Sequence, residues 1–338
     1  MLDKIQSFFG FTTMPFGRGL APGMLFRSHD HAQAVARISY GITSRGITVI
    51  TGEVGVGKTV AARAAIDRAE PARYHLIYIP DPTVGARGIY HHVVTALGGK
   101  PSFHNAALVP QARDALAAEH AERGRAPILC IDEGHLLNHD ALEALRLLTN
   151  HQLDTESPFA TVLLGQPTLA TKMKLGTLAA LEQRITVRRH MTGMTSQETA
   201  DYVHHHVKLA GRADPLFTDD AISLIHQASR GKPRSVNRLA ISALIAACTA
   251  AKTRVDEASA RCAVTENNHD HQPAPPDHRR DSLPTEAPPE PVRAGLHHTR
   301  TSLTSNDATC ARSTTRNSAR YSRFLLCSVG SSSVGRRT

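Results

Sequence analysis

Hydrophobic and polar positions follow two alternating patterns through the first 192 residues. Short apolar or β-branched runs predict five strands, at residues 47–51, 74–80, 127–132, 159–165 and 185–188. Segments with apolar residues three or four apart predict five helices, at residues 60–69, 88–97, 106–123, 139–151 and 169–181. Strands that alternate with helices are typical of a parallel sheet with helices on both faces. The pattern therefore predicts an α/β fold around a five-stranded parallel sheet.

The strand pattern ends near residue 192, and only helical patterns follow it. Three segments with helical spacing begin at Ser196, Thr218 and Lys232. Thr218 is a good helix cap, acidic residues fill the first turn after it, and Gly231 ends that segment. We therefore expect an N-terminal segment with a helix at residues 1–45, an α/β core at 46–192 and a small all-α subdomain at 193–266.

The composition changes after Glu266. Residues 267–338 are rich in Pro, Ser, Thr and Arg and hold few apolar residues. Such a segment cannot bury enough apolar surface to offset the entropy that is lost when a chain becomes ordered. Residues 267–338 are therefore predicted to form a disordered tail.

The charge balance adds a hint about partners. The formal net charge of the whole chain is +9, and the hydrophobic content of 41% is enough for a packed core. Residues 267–338 contain ten Arg and six Asp plus Glu, so the tail supplies +4 of this charge and the rest of the chain +5. A positive balance favours a polyanionic partner, although it carries no sequence specificity.

Several features predict a cytoplasmic protein. The longest apolar helical run, at residues 239–251, is too short to span a bilayer, and no signal peptide is visible at the N-terminus. The five cysteines show no paired or C-x-x-C spacing, which favours reduced thiols.

The sequence GEVGVGKT, at residues 52–59, has the spacing G-x-x-x-x-G-K-T of a phosphate-binding loop. It follows a predicted strand and precedes a predicted helix, so the positive end of the helix dipole faces the loop. Glycines let the backbone approach a phosphate, lysine reaches the β- and γ-phosphates, and threonine binds Mg²⁺. The residues predicted to contact nucleotide are Gly52, Glu53, Val54, Gly55, Val56, Gly57, Lys58, Thr59 and Val60.

Two carboxylates follow a buried strand in the segment ILCIDEGH. Asp132 and Glu133 come directly after it, and the carboxyl ends of strands are where ligands sit in open α/β sheets. We expect Asp132 to bind Mg²⁺ together with Thr59. Glu133 is the candidate to orient or deprotonate an attacking water.

Three further polar residues are candidates, each with a structural alternative. Gln166 follows the next strand and could contact the γ-phosphate, or it could be only a turn residue before Pro167. Arg184 and Arg234 could stabilise charge on a transferring phosphoryl group, or they could be ordinary surface charges. The residue chemistry alone leaves these alternatives open.

Taken together, GEVGVGKT, ILCIDEGH, LLGQPTL, LEQRITVRRH and SRGKPRSVNRLAISAL resemble the AAA+ ATPases of the ExeA type. These are the general secretion pathway protein A-like proteins, and the ATP-binding transposition helpers of TniB, TnsC and IstB character are their relatives. The resemblance covers about residues 5–265. It implies a P-loop NTPase fold of the AAA+ type, in which the helical subdomain is a lid over the nucleotide.

The resemblance also implies residue roles. Gln166 matches the sensor-1 position, Arg184 the arginine finger, and Arg234 the sensor-2 arginine of the lid. Pro15 and Phe16 match a Pro-Phe pair that lies near the adenine. The chain departs from the family at residues 132–135, which are Asp-Glu-Gly-His where members often have Asp-Glu-Ala-Gln.

An arginine finger that acts on a neighbouring subunit implies a homo-oligomer, either a ring or a filament. The first functional hypothesis is a Mg²⁺-dependent ATPase that assembles on double-stranded DNA and assists a transposase or integrase. It is favoured by the positive charge and by the lack of a predicted membrane segment. The alternatives are an ATPase that assists secretion-system assembly and a nucleotide-dependent switch with little turnover.

Overall fold

The computed structural model describes residues 2–17, 20–149 and 157–269. Within them the strands are β1 (Ile47–Gly52), β2 (Tyr74–Ile79), β3 (Ala126–Ile131), β4 (Ala160–Gly165) and β5 (Ile185–Met191). The helices before β4 are α1 (Leu2–Phe9), α2 (His29–Thr43), α3 (Lys58–Ile66), α4 (Gly85–Ala96), α5 (Asn105–Ala121) and α6 (His139–Leu148). Those after it are α7 (Pro167–Met173), α8 (Ala179–Gln183), α9 (Ser196–Leu209), α10 (Asp219–Ser229), α11 (Pro233–Thr249) and α12 (Glu257–His269).

All five strands form one parallel sheet in the order β2-β3-β4-β1-β5. This confirms the predicted five-stranded parallel sheet. Thr51 pairs with Gly165, and Ile131 pairs with Leu163, so the strands end at similar heights. The residues that follow β1, β3 and β4 therefore meet at one edge of the sheet.

Side chains of the sheet alternate between two cores, as the period of two in a strand requires. Val49, Leu129 and Leu163 face a cluster that is covered by α4, α5, α6, α7 and α8. Ile50 and Leu164 face the opposite cluster, which α2 and α3 cover. Each fully buried Leu or Ile side chain stabilises the fold by roughly 1.5–3 kcal/mol. The sheet is thus the middle of three layers.

The helices after β5 build a separate core. Helices α9 to α12 are together called the helical region. Its buried side chains include Tyr202, Phe217 and Val236. The N-terminal segment packs into the same core through Phe9 and Phe16. The N-terminal segment therefore contacts the helical region although about 190 residues separate them in sequence.

The prediction of a single helix at residues 169–181 is wrong, because this segment is divided into α7 and α8. Lys174 ends α7, and Leu175 takes an extended conformation with φ −64° and ψ 136°. Gly176 follows and begins a short 3₁₀ turn that leads into α8. Glycine is among the poorest helix formers, so the helix breaks at this point.

The helical region holds a fourth helix, α12, that the apolar pattern did not reveal. Asp256 precedes it, and its carboxylate accepts a hydrogen bond from the Ser259 amide at 3.0 Å. The helix continues to His269, so the first three residues of the predicted disordered tail, 267–269, are helical. Buried Asn267 donates to the Ala263 carbonyl oxygen at 2.7 Å within its last turns. The remainder of the predicted tail, residues 270–338, lies outside the described residues.

No helix in the described part of the chain combines the length and the apolar character that crossing a membrane requires.

Candidate nucleotide-binding site

The loop between β1 and α3 takes a conformation that depends on its glycines. Gly55 and Gly57 have φ angles of 87° and 99°, in the left-handed region that other residues rarely adopt. A Cβ on Gly52 would lie 2.6 Å from the Met191 carbonyl oxygen, so only glycine lets β1 end this close to β5. Val56 is buried on the α2–α3 side of the sheet and anchors the loop.

The loop ends at the first turn of α3, and this turn has no side-chain cap. Gly57 is the capping residue and has no side chain to accept a hydrogen bond from the first amides. The free amides and the helix dipole make such an end an anion site. Thr59 and Val60 are exposed in this first turn, so the turn is open to a ligand.

The amine of Lys58 lies inside the loop. It donates to the carbonyl oxygens of Gly52 at 2.8 Å and of Glu53 at 2.9 Å. Burial lowers the pKa of this amine, and the positive charge of Arg234 lowers it further, while the carboxylates of Glu133 and Asp132 oppose the shift. A phosphate would relieve the desolvation of the ammonium group, so the position favours an anionic ligand.

Asp132 meets Thr59 at the edge of the sheet. The Thr59 hydroxyl donates to Asp132 Oδ2 at 2.7 Å, although 73 residues separate the two in sequence. Asp132 follows β3, and its Oδ1 accepts from the Glu133 amide at 2.8 Å. The Tyr78 hydroxyl of β2 donates to the same Oδ2 at 3.3 Å, and burial together with this carboxylate raises the pKa of Tyr78 to about 12.

These groups fit a Mg²⁺–nucleotide complex. Mg²⁺ prefers oxygen ligands and is commonly held by one or two protein oxygens together with phosphates. A hydroxyl and a carboxylate that already lie 2.7 Å apart can both turn to one ion. The left-handed loop and the uncapped helix end leave room for phosphates, since nothing lies within 4 Å of a Cβ placed on Gly57.

Glu133 and Gln166 lie at the same edge, on either side of His135. Glu133 adopts a left-handed conformation with φ 48°, and 48% of its side chain is exposed. Gln166 follows β4, and its Nε2 lies 3.0 Å from His135 Nε2. His135 Nδ1 lies 3.3 Å from Glu133 Oε2. The predicted water-activating carboxylate and the predicted sensor amide are thus joined through one imidazole ring.

Two residues at the start of α11 reach the phosphate loop. The Arg234 amide donates to the Gly55 carbonyl oxygen at 3.2 Å, and a Cβ on Gly55 would lie 2.9 Å from Arg234 Cβ. Lys232 forms an ion pair with Glu53, and its hydrogen bond lowers the pKa of that carboxyl group. Arg234 therefore lies beside the loop, as its predicted position in a lid requires.

Arg184 lies at the amino ends of the strands, whereas the phosphate loop lies at their carboxyl ends. It caps α8 just before Ile185, which pairs with Ile47 at the start of β1. At about 3.3 Å per residue, the length of β5 places it roughly 20 Å from the loop. Its Nη1 lies 3.4 Å from the Thr149 hydroxyl. Arg184 is therefore not brought to the phosphate loop of its own chain.

Pro15 and Phe16 are both buried, and the Phe16 side chain lies in the core of the helical region. The Phe16 ring is 3% exposed and stacks on His206, with 5.2 Å between the ring centroids. It also meets Phe217 edge-on at 6.2 Å. Because the Phe16 ring packs in this core, other atoms of the loop would have to make any contact with adenine. The backbone at Phe16 has a left-handed φ of 63°.

Residues 42–173 match the sequence model of the AAA domain family. The general secretion pathway protein A of Aeromonas hydrophila is 34% identical over 244 residues. The chain carries an ExeA-like AAA+ domain. The aligned part makes up 71% of this chain and 44% of the Aeromonas protein, so the chain spans less than half the length of this curated relative.

Solved structures share the fold of this AAA+ domain at low sequence identity. Cdc6p from Pyrobaculum aerophilum gives a TM-score of 0.56 at 15% identity, over 71% of this chain and 67% of the other. The ORC2 protein from Aeropyrum pernix, solved in ADPNP–ADP complexes, gives 0.56 at 18% identity, over 75% and 70%. At such identities the likeness concerns the fold alone, and it confirms the predicted P-loop NTPase fold.

Two contacts of the site were not predicted. Tyr78 reaches Asp132 because β2 pairs with β3 in a register that places Tyr78 beside Cys130. Lys232 reaches Glu53 because α11 begins against the phosphate loop. No local motif marks either residue, since both contacts depend on how distant segments are placed.

Proposed function

We propose that this chain binds ATP together with Mg²⁺ and hydrolyses it. The observation that supports this most is the 2.7 Å contact between Thr59 and Asp132 beside the uncapped start of α3. A hydroxyl and a buried carboxylate at this place are the protein ligands that a Mg²⁺–triphosphate complex needs. The AAA domain match at residues 42–173 supports the same assignment.

In this proposal each residue has a distinct task. Lys58 exchanges its two carbonyl partners for phosphate oxygens, and the amides of Gly55, Gly57 and the first turn of α3 hold the same group. Glu133 accepts the proton of the attacking water. Mg²⁺, when bound through Thr59 and Asp132, neutralises charge that develops on the phosphate oxygens.

Gln166 and Arg234 complete the site within one chain. Gln166 contacts the γ-phosphate from the end of β4. Arg234 reaches over the phosphate loop from α11, where its amide already contacts Gly55 at 3.2 Å. Residues 193–266 then act as a lid that senses the bound nucleotide, next to a core at residues 46–192 and an N-terminal segment at residues 1–45.

Arg184 acts on the nucleotide of a neighbouring subunit. Its place at the opposite sheet edge from its own phosphate loop supports this, because an arginine there can reach a site only across an interface. The active form is therefore a homo-oligomer, a ring or a filament, with ATP between subunits. Nucleotide binding favours assembly, and hydrolysis releases it.

We propose that the energy is used on double-stranded DNA, to assist a transposase or integrase in the cytoplasm. The formal net charge of +9 supports a polyanionic partner. Arg188, Arg189 and Lys232 each pair with an acidic residue of the same chain, so the charges of these three side chains are compensated locally. The DNA contact is therefore expected from other basic residues.

A role in secretion-system assembly is the second candidate. One specific observation favours it: the relative that is 34% identical is a general secretion pathway protein A. Because the chain spans less than half of that protein, the likeness supports a shared motor more than a shared partner. A nucleotide-dependent switch with little turnover is the third candidate.

Replacing Glu133 by Gln tests the ATPase assignment. The variant should bind Mg²⁺–ATP with normal affinity but lose at least about a hundredfold in turnover, since the amide cannot accept a proton. Filter binding with labelled ATP and a phosphate-release assay measure the two properties. Lys58→Ala should lose binding, and Lys174→Ala, which changes an exposed lysine, is the matched control. Normal turnover in Glu133→Gln would exclude the proposed role.

Duplex DNA separates the proposed uses of the energy. A DNA-associated motor should hydrolyse ATP several-fold faster with duplex DNA at low salt, and this stimulation should decline as salt rises. A secretion motor should turn over at a rate that DNA leaves unchanged, and a switch should hardly turn over in either condition. The phosphate-release rate at increasing DNA concentrations measures the difference.

A further inference from the structure

His135 lies between the two polar groups that the proposed reaction places around the γ-phosphate. Its Nε2 lies 3.0 Å from Gln166 Nε2, and its Nδ1 lies 3.3 Å from Glu133 Oε2. The side chain of His135 is only 15% exposed. The ring thus fills the space between the end of β4 and the residue that follows Asp132.

The backbone of His135 is held by contacts with α7 and with the end of β4. Lys172 of α7 donates to the carbonyl oxygens of His135 at 2.7 Å and of Leu137 at 2.8 Å. At the end of β4, a Cβ on Gly165 would lie 3.1 Å from the His135 amide nitrogen. The segment after Asp132 therefore lies against the end of β4, and these contacts fix the backbone position from which the ring extends.

The hydrogen-bonding groups determine where the ring carries its proton. With the Gln166 amide oriented as in this structure, Nε2 of Gln166 can only donate, so Nε2 of His135 must accept. The proton of a neutral imidazole then lies on Nδ1. This atom is buried, makes no hydrogen bond and faces Glu133 Oε2. A small rotation of the half-exposed Glu133 side chain would let Nδ1–H donate to it.

We propose that His135 is a positioning residue that couples Gln166 to Glu133. When Gln166 turns towards a γ-phosphate, its hydrogen bond orients the imidazole, and the Nδ1–H group of the ring in turn holds the Glu133 carboxylate towards the attacking water. The orientation of the base would then depend on the position that Gln166 takes at the γ-phosphate. This inference deepens the proposed ATPase function and rests on it.

Replacement of His135 by Leu and by Gln tests the coupling. Leu fills a similar space without polar atoms, so kcat should fall about tenfold or more while KM and ATP affinity change less than about twofold. Gln offers a carbonyl oxygen to Gln166 and an N–H to Glu133, so it should retain kcat within about threefold. His139→Leu, at the exposed start of α6, is the matched control and should behave as wild type.

Two results would overturn the coupling: wild-type kcat in His135→Leu, or an equal loss in His135→Gln and His135→Leu. A second measurement does not depend on hydrolysis. The ring nitrogens of His135 in the full ¹⁵N-histidine-labelled chain, assigned by comparison with His135→Gln, should show protonated Nδ1 and unprotonated Nε2. The opposite tautomer would contradict the proposal. A wild-type chain that hydrolyses no ATP would refute the proposed ATPase function. The tautomer of His135 would still test the link between Gln166 and Glu133, because it is measured without hydrolysis.

Discussion

His206 is a buried histidine whose pKa differs between the folded and the unfolded chain. It lies in α9 with 3% of its surface exposed, stacks on Phe16 and contacts the Tyr202 ring at 4.3 Å. Burial lowers the pKa of its imidazole to about 4, and the neighbouring His205 contributes to the shift. The folded protein therefore holds this histidine neutral at pH values where an unfolded chain would protonate it.

This shift predicts a loss of stability in mild acid. The unfolded chain binds a proton at His206 near pH 6.5, and the folded chain does so only near pH 4. Stability should therefore fall as the pH decreases from 6.5 to 4, by about 2 kcal/mol at pH 5. His206→Phe keeps an aromatic ring among Phe16 and Tyr202, and its stability should not show this decrease of about 2 kcal/mol. Urea unfolding at pH 7.5 and pH 5 measures it.

His204→Phe is the control for this prediction, because His204 lies on the same helix but is exposed. Its stability should follow the pH in the same way as the wild-type chain. The free energy of unfolding could decrease between pH 7.5 and pH 5 by the same amount in the wild-type chain and in His206→Phe. That result would mean that His206 is not held neutral by burial.

At the scale of elements, the start of α9 shows which part of a helix the sequence specifies. Thr195 and Glu198 form a capping box: the Thr195 hydroxyl accepts from the Glu198 amide at 3.2 Å, and Glu198 Oε2 accepts from the Thr195 amide at 2.9 Å. The spacing T-x-x-E is visible in the sequence. Glu198 also accepts from the His29 amide at 2.7 Å, which connects α9 to the start of α2. No local pattern predicts that contact.

The strands were predictable to within a few residues, whereas the helices were less so. Five apolar runs mark the strands because parallel strands that are covered on both faces are nearly continuous in apolar residues. The two edge strands are the exceptions: Leu76 and Tyr78 of β2 are exposed on one face, and exposed positions alternate along β5 as far as His190. The region of α7 and α8 was predicted as one helix, because Gly176 is only one break in an otherwise helical pattern.

At the scale of the whole molecule, the opposite positions of Arg184 and the phosphate loop decide how the site can be completed. Ile185, next to Arg184, pairs with the first residue of β1, and the loop follows the last. One chain cannot bring the two together without breaking the sheet. A second copy can, so the role proposed for Arg184 requires assembly.

Mixing variants tests this requirement. Arg184→Ala and Glu133→Gln should each be inactive alone, and their mixture should regain activity. At equal amounts and random assembly, roughly a quarter of the interfaces join an intact Glu133 to an intact Arg184. Phosphate release across mixing ratios measures the recovery. Arg188→Ala, which removes a nearby arginine that pairs with Glu182, should be active alone. Absence of recovery at every ratio would exclude action on a neighbouring subunit.

The sequence by itself determined the phosphate loop, the strands and the two carboxylates after β3. These depend on neighbours along the chain: glycines that permit left-handed φ, a β-branched run before them and a helix-forming run after them. Only the tertiary structure decided which of these parts meet. β3 and β1 are separated by β4, yet Asp132 contacts Thr59, and His135 joins Glu133 to Gln166. Strand order and helix docking place these side chains, and both arise from packing between segments that are far apart in sequence.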